Sequence, residues 1–417
     1  MFRKSLLVVL LLTLGAGVVW ARDVDVSSVS ISNVNVGAGT CTINYTLSRT
    51  NPTISTSQPV WVFVKYRLTT DTDYTGWQDT DNHTATDDAS DVGTDSRNAT
   101  VNANLTAGDY GIVTSSGSKS ITWHWGGSGG IGSGTGLSSA NSVRVRVYAI
   151  EMVKVGGGNY AMKDDASAYY RLTGTTAHSG SDYHLQKYPV TNKLYADFLN
   201  ACANRHDPDA DGDHDFWNSD MDNDTYGGIH ITGSIPTASF APENGHDDWP
   251  VVYATWYNAY DFCAWSGLDL PEEEHWYKVA GESQGTGAAV SDWYWGNTSP
   301  SSSLCNMGGD GVDRPSDVND YESAVDGTDD GNVYGAYELA GNVWEWTDTY
   351  WYASGGSGGS TPYAASNGPT SYTDSSGRVT RGGDWDGVAS WVRAGSRFSF
   401  YPRNRYRSIG FRAAKLP

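Results

Sequence analysis

The stretch Tyr334-Gly-Ala-Tyr-Glu-Leu-Ala-Gly-Asn-Val-Trp-Glu-Trp346 sets the reading of this chain. It places two carboxylates, Glu338 and Glu345, on either side of Gly341. Hard cations take oxygen ligands, and glycine lets backbone carbonyls turn inward, so such a stretch can hold a cation. In the plainer alternative Asn342, Trp344 and Trp346 only pack, with the acids on the rim. The surroundings share this aromatic texture. From about Glu151 onward Trp and Tyr are dense and three helical patterns appear. Thr191 can cap a helix through Ala203, in which Leu194, Phe198, Leu199 and Cys202 fall near a helical period. Thr255 can cap a second, with Trp256, Ala259, Tyr260, Cys263 and Ala264 at helical spacing and Gly267 at its end. Pro271 opens a third, and Glu272, Glu273 and Glu274 sit in its first turn, where the helix dipole favours negative charge. The remainder reads as turns and short strands.

Residues 22–152 have another texture. Thr, Ser, Val, Asn and Gly dominate, and alternation recurs over Val29–Val36, Cys41–Leu47, Val60–Tyr66, Ile121–Trp125 and Val143–Tyr148. Val143, Val145 and Val147 against Arg144 and Arg146 show the period of a strand with one wet face. This predicts an antiparallel β-sandwich of immunoglobulin or fibronectin type, serving as a spacer or adhesion module. The expected fold class is α+β. A signal peptide is expected at 1–21, the sandwich at 22–152, and a mixed α/β domain with little regular structure at 153–417.

The head of the chain predicts its compartment. Arg3 and Lys4 precede the apolar run Leu6–Trp20, and Val19 and Ala21 are small residues ahead of a cut after Ala21. The run is short for a membrane span. No later stretch is apolar enough to span, so no membrane insertion is expected after cleavage. The protein is expected to be secreted, periplasmic or extracellular, with the cell surface as one destination. Removing Arg3 and Lys4 leaves 25 basic against 48 acidic residues, a net charge of −23. Such a charge repels phosphates and excludes nucleic acid as a partner. The 17 Trp, 26 Tyr and 9 Phe exclude a disordered acidic chain. None of the four cysteines has the spacing of a zinc or thioredoxin-type site. Cys263 reads as a buried thiol on a helix face, with a bridge to Cys202 or Cys305 as the alternative.

In order along the chain, Lys187–Leu199, Pro250–Tyr260, Leu270–Trp276, Trp295–Asn297, Tyr334–Trp346, Arg381–Trp385 and Ile409–Arg412 resemble the formylglycine-generating enzyme (sulfatase-modifying factor) family. The resemblance covers about residues 151–417. It implies an elaborated C-type-lectin-like fold. It also implies two cysteines, after the Arg-Gly-Gly motif, that hold copper and activate oxygen. Here those positions fall on Gly387 and Val392, and neither supplies a thiolate, the good ligand for Cu(I). No Cys follows Cys305, and Asp384 stands where the family has serine. No copper and no catalytic residue are therefore expected. The family disulfides are missing too, since the partner position of Cys263 is Ala413. A sister branch of iron-dependent sulfoxide synthases takes His ligands from an added helical domain. The β-type leader here, with His83 and His124 41 residues apart, has no such pattern.

The resemblance implies calcium at two loops. At the first, Asn306 and Asp310 would give side-chain oxygens and Met307 and Val312 carbonyls. At the second, Glu338 and Glu345 would give carboxylates and Gly341 and Val343 carbonyls. A third acidic loop, Asp207–Asn218, sets Asp207, Asp209, Asp211 and Asp213 at the alternating positions of an EF-hand or dockerin loop, with Gly212 at position 6. Its position 12 is Asn218 rather than a bidentate Glu.

Between Asp384 and Arg407 the residues Trp, Tyr, Phe, Arg, Ser and Asp are intermixed. Those types dominate recognition surfaces. The segment resembles the variable C-termini of lectin-fold proteins diversified by retroelements. Phe398 and Phe400 share one strand face and are expected to be buried, and Trp385, Val392 and Arg393 read as core. Trp391, Tyr401 and Tyr406 sit among Gly, Ser, Pro and Arg and are expected to be exposed. With Asp386 and Arg407 they form a candidate face for a protein or glycan ligand. The expected function is that of a secreted, non-catalytic ligand-binding protein. An oxidase of the formylglycine-generating type with displaced ligands, and a structural cell-surface component, are the alternatives.

Overall fold

The computed structural model describes residues 20–21, 24–35, 38, 40–49, 53–68, 105–108, 111–124, 143–162, 176–202, 216–222, 225–234, 238–281, 293–295, 299–301, 303–309, 312–321, 333–351 and 377–417. Mixed helix and sheet are both present, and strands predominate. One five-stranded sheet runs β1 (Trp20–Ala21), β2 (Val24–Asn35), β3 (Thr40–Arg49), β7 (Gly117–His124), β5 (Leu105–Gly108). A cut after Ala21 would remove β1 and leave β2 at the edge of this sheet. A second five-stranded sheet runs β18 (Ala414–Lys415), β11 (Tyr183–Gln186), β8 (Val143–Val155), β4 (Val60–Leu68), β6 (Gly111–Val113). The two sheets bury a common core. Val26, Ile43, Leu47, Ile121 and Trp123 of the first meet Val60, Val62, Val64, Val147 and Ala149 of the second. Their period-two spacing is what puts them all on the inner faces.

The other face of the second sheet is not wet along its length, as the Val/Arg alternation suggested. Arg146 is exposed, but from Val147 to Val153 every residue of β8 is buried. Between Val60, Val62 and Val64 on β4 stand Trp61 and Phe63, which point the opposite way. They pack on helix α2 (Trp256–Ser266) of the following region. Trp61 Nε1 donates to the carbonyl of Ser266 at 2.8 Å, and Trp265 meets Phe63 at 5.1 Å and Tyr148 at 5.0 Å. β8 then continues into the next region, where Met152 to Val155 pair with β11. The division expected between residues 152 and 153 thus falls inside a strand.

The helices are α1 (Asn192–Cys202), α2 and α3 (Glu273–Gly281). Thr191 Oγ1 accepts from the amide of Leu194 at 3.3 Å. Thr255 forms a capping box with Asn258, and Gly267 ends α2 in the left-handed region. A four-stranded sheet completes the fold. It runs β16 (Arg397–Phe400), β15 (Arg378–Arg381), β14 (Trp344–Tyr350), β17 (Ile409–Phe411), with β14 and β17 parallel and Glu345 opposite Gly410. Glu273 does more than answer the dipole of α3. It is fully buried and pairs with Arg381 at 2.5 Å and Arg397 at 2.7 Å, tying α3 to β15 and β16. Burial opposes its ionisation, but the two guanidinium groups win and hold its carboxyl below the usual range. Cys263 is a buried thiol, as are Cys41 and Cys305, and none of the three forms a disulfide. Among the described residues no helix is long and apolar enough to cross a membrane.

A fragment beginning at Val153 lacks Trp61, Phe63 and Tyr148, and so uncovers Trp265 and the rest of that α2 face. It is expected to bind a hydrophobic dye strongly and to aggregate, where the whole chain does neither. A soluble, dye-silent fragment with full secondary structure would show that the sheet shared by the two regions is dispensable.

Candidate functional site

Glu345 and Arg412 form the centre of the region. Arg412 Nε donates to Glu345 Oε2 and Arg412 Nη2 to Oε1, both at 2.6 Å, and Trp276 Nε1 adds a third bond at 2.8 Å to Oε2. Both side chains are buried. Arg412 also donates to the carbonyls of Gln186, Lys187, Tyr337 and Glu338. A buried charge pair is tolerable only when its remaining donors are satisfied, and these carbonyls do that. Glu345, expected as a calcium ligand, therefore has both oxygens committed to Arg412 and Trp276.

The rest of that loop is shaped differently from its neighbours. Glu338, Gly341 and Asn342 have φ of 55°, 76° and 59°. Left-handed backbone is uncommon outside glycine and worth an explanation. At Gly341 the explanation is space, because a Cβ would run into the carbonyl of Asn306. Asn342 N donates to that carbonyl at 2.8 Å, while the Asn342 amide both donates to Ser316 O and accepts from Ser316 N, each at 3.1 Å. The two expected calcium loops are thus packed on each other. Each retains a buried oxygen with no hydrogen-bond partner, Asn306 Oδ1 and Glu338 Oε2. Burial, with Asp320 adding to it, pushes the Glu338 carboxyl up to about 8, against the opposing pull of Arg412 and Asn342. Hard, uncompensated oxygens of this kind suit a calcium-like cation. Gly341 and Val343 are buried, Met307 is half-buried and Val312 is exposed. Asp310, Asp207, Asp209, Asp211 and Asp213 lie outside the described residues. Asn218 instead donates to the carbonyl of Tyr253 at 3.1 Å. Two histidine-centred clusters, Asp222 with His230 and Glu243, and Glu272 with Glu274 and His275, lie away from these loops in the sequence and were not foreseen.

The expected thiolate positions are filled. A Cβ on Gly387 would lie 2.9 Å from Trp391 Cε3 and 3.0 Å from Asp384 Oδ1. Val392 is buried among Trp276, Cys305 and Ala394. Asp384 is only 5% exposed, and its Oδ1 has no hydrogen-bond partner. Burial pushes its carboxyl up to about 6, and a hydrogen bond from Ser408 opposes this.

The candidate ligand face stands above these groups. Tyr401 is 62% and Tyr406 44% exposed. Tyr401 tips a turn closed by Asn404, whose amide donates to Tyr401 O at 2.9 Å and whose Oδ1 accepts from Tyr401 N at 2.8 Å. The first amide of α2, Trp256 N, anchors the turn at Pro402 O. The Tyr406 ring rests 5.0 Å from Phe400, which itself meets Trp346. Arg407 reaches Asp386 at 3.4 Å and lies over the rings of Tyr226 and Trp385, which stack at 5.4 Å. Trp391 departs from expectation. It is half-buried, 6.2 Å from Trp344, because it covers the space beside Gly387. Arg393, expected in the core, is half-buried over Trp293. Trp385 and Val392 are buried, and Phe398 and Phe400 are half-buried together, 4.7 Å apart. Tyr226 and Tyr253 were not foreseen. Tyr253 has φ of 60° and its amide donates to Tyr406 O. They lie far from the C-terminal segment in sequence, and only tertiary packing brings them to it.

The expected thiolate positions are thus closed by an indole edge, a carboxyl and an isopropyl group. Residues 139–416 match the sulfatase-modifying factor enzyme 1-like domain, and the chain belongs to that family. It is 30% identical over 206 residues to a hercynine oxygenase of Mycolicibacterium thermoresistibile, covering 48% of this chain and 40% of that protein. It is 30% identical over 182 residues to the inactive C-alpha-formylglycine-generating enzyme 2 of Bos taurus, covering 40% and 50%. It is 27% identical over 296 residues to the formylglycine-generating enzyme of Streptomyces coelicolor, covering 63% and 88%. The chain thus spans less than half the length of the hercynine oxygenase. Among solved structures, Treponema denticola variable protein 1 aligns over 65% of this chain and 96% of its own, with 19% identity and a TM-score of 0.42.

Two measurements check the geometry. Replacing Glu345 by Gln strands a buried guanidinium and is expected to cost ~3–5 kcal/mol in denaturant unfolding. A loss within experimental error would remove the pair from its central place. The second concerns Asp384. Its folded pKa lies above its unfolded value, so its stabilising effect is complete below about pH 4 and is lost as pH rises to about 6. The difference of about two units corresponds to ~3 kcal/mol. Asp384→Asn is expected to lack this decline, and parallel pH profiles for the two proteins would contradict it.

Proposed function

We propose that this chain is a secreted, non-catalytic binding protein that engages a protein or glycan ligand through the C-terminal face of its family fold. Calcium steadies the loops beneath that face, and the N-terminal sheets form a spacer of immunoglobulin or fibronectin type. The observation that carries the reading is the filling of the thiolate positions. Gly387 has no room for a side chain beside Trp391 and Asp384, and Val392 belongs to the core. Copper chemistry needs an open, thiolate-lined cleft, and here that cleft has become packing. Loss of activity has a parallel in the relatives named as inactive formylglycine-generating enzymes. Freed from chemistry, the segment presents Tyr401, Tyr406, Asp386 and Arg407 on fixed supports. Retroelement diversification of this segment is part of the proposal. A neighbouring reverse transcriptase gene, with an imperfect copy of the codons for 384–407, would support it, and their absence would remove it.

Asn306 and Glu338 are the residues that would hold calcium. A cation there would be received by Glu338 Oε2 and Asn306 Oδ1, which are buried without a hydrogen-bond partner. At 100-fold above its dissociation constant, bound calcium adds ~2.7 kcal/mol of stability. The melting temperature is therefore expected to fall on EDTA treatment. Glu338→Gln keeps the side-chain shape and is expected to abolish the calcium response, while Asn218→Ala leaves most of it. An identical melting temperature in EDTA and in millimolar calcium counts against both loops.

Oxygen uptake tests the absence of catalysis. With copper added and sulfatase-derived cysteine peptides as substrate, no turnover is expected. The double substitution Gly387→Cys with Val392→Cys is expected to destabilise the chain without restoring uptake. Copper-dependent turnover by the unsubstituted protein would favour the oxidase reading instead.

A further inference from the structure

The proposed binding face opposes the charge of the chain that carries it. The whole chain has a net charge of −21, yet five arginines lie between Arg393 and Arg407 and no acidic residue follows Asp386. Arg397 is drawn into the core by Glu273. Arg393, Arg403, Arg405 and Arg407 stay at the surface, half-buried or exposed. Around Arg407 the acids are Asp386 beside it, Asp384 beneath it, and Asp220 near Tyr253.

Arg407 is already shaped for a carboxylate. Its guanidinium lies over Tyr226 and Trp385 at 4.8 and 4.9 Å, and Nη1 donates to the Tyr226 hydroxyl at 3.1 Å. Its contact with Asp386, at 3.4 Å, is long for a charge-assisted bond, which ordinarily closes to ~2.7–2.9 Å. An incoming carboxylate can displace Asp386 at little cost. Tyr406 is next to this arginine in the chain and rests on Phe400, and Tyr401 tips the turn closed by Asn404. Tyrosine and arginine anchored in this way are the residue types that dominate protein–protein contacts. An acidic partner is repelled by the net charge of the chain and attracted at this basic segment, which favours one orientation.

Resting on the binding-face reading, we infer that the partner is an acidic polypeptide segment, a carboxylate of which is received by Arg407 beside the exposed Tyr406. The test is to pan the full chain, in calcium, against a random dodecapeptide phage library. In parallel it is applied to an array of neutral and acidic oligosaccharides. Enriched peptides are expected to be net negative and to contain an aromatic residue. Arg407→Gln is expected to weaken the best synthetic peptide about tenfold, equivalent to ~1.4 kcal/mol. Replacing the peptide's Glu and Asp by Gln and Asn is expected to do at least as much. Melting temperatures of all variants are checked first, so that only folded proteins are compared. Enrichment of neutral or basic peptides that still need Tyr401 and Tyr406 overturns the acidic partner and leaves the face standing. Binding confined to acidic oligosaccharides overturns the polypeptide and likewise keeps the face. Peptides indifferent to Tyr401→Ala and Tyr406→Ala overturn both, and enrichment of no peptide and no sugar overturns the inference.

Discussion

The buried pair of Glu345 and Arg412 is the constraint on which the rest of the lectin-like region depends. One carboxylate and one guanidinium reach five surrounding groups, among them the indole of Trp276 on α3 and the carbonyl of Glu338. β14 and β17 are held parallel beside each other with Glu345 opposite Gly410. Taking two charges out of water is expensive, and only a complete set of partners makes it tolerable. The cost enforces a single arrangement, because any slip in register leaves an ion unmatched. Glu273, with Arg381 and Arg397, repeats the device one layer away and fixes α3 to the outer strands.

Above that scaffold the segment around Gly387 is closely packed. Trp391 turns inward and covers the backbone at Gly387, and Asp384 sits beside it. Burial raises the pKa of that carboxyl to about 6, against the hydrogen bond from Ser408. The outer rings stand on inner ones, Tyr406 on Phe400 and Phe400 on Trp346.

Much of this was legible in the sequence wherever a local rule was sufficient. Thr255, Asn258 and Gly267 announced α2 because caps are written within a few residues. The valines of β4 and β8 announced strands because alternation is local. Exposure of Tyr401 and Tyr406 followed from turn-forming neighbours. The failures share a cause. Trp391 has similar neighbours yet turns inward, because the space it covers is created by a missing side chain at Gly387. Trp61 and Phe63 look like a strand's second face, and nothing in their vicinity says that α2 covers them. Glu345 reads as a cation ligand until Arg412, distant in sequence, takes its carboxylate. Tyr226 and Tyr253 join the face from elements more than a hundred residues away. In each case the deciding partner is remote, and propensity or spacing carries no trace of it.

The order of the chain gives the Arg412 contact a consequence for synthesis. A ribosome makes the binding face before it makes the arginine that locks the core beneath it. A shift of reading frame anywhere between residues 384 and 407 therefore removes Arg412, Gly410 and β18 together. Such a product keeps Glu345 buried without its counter-ion and cannot settle into the native sheet. Substitutions at the exposed Tyr401 and Tyr406 leave the Glu345–Arg412 contact intact, whereas a lost frame removes it.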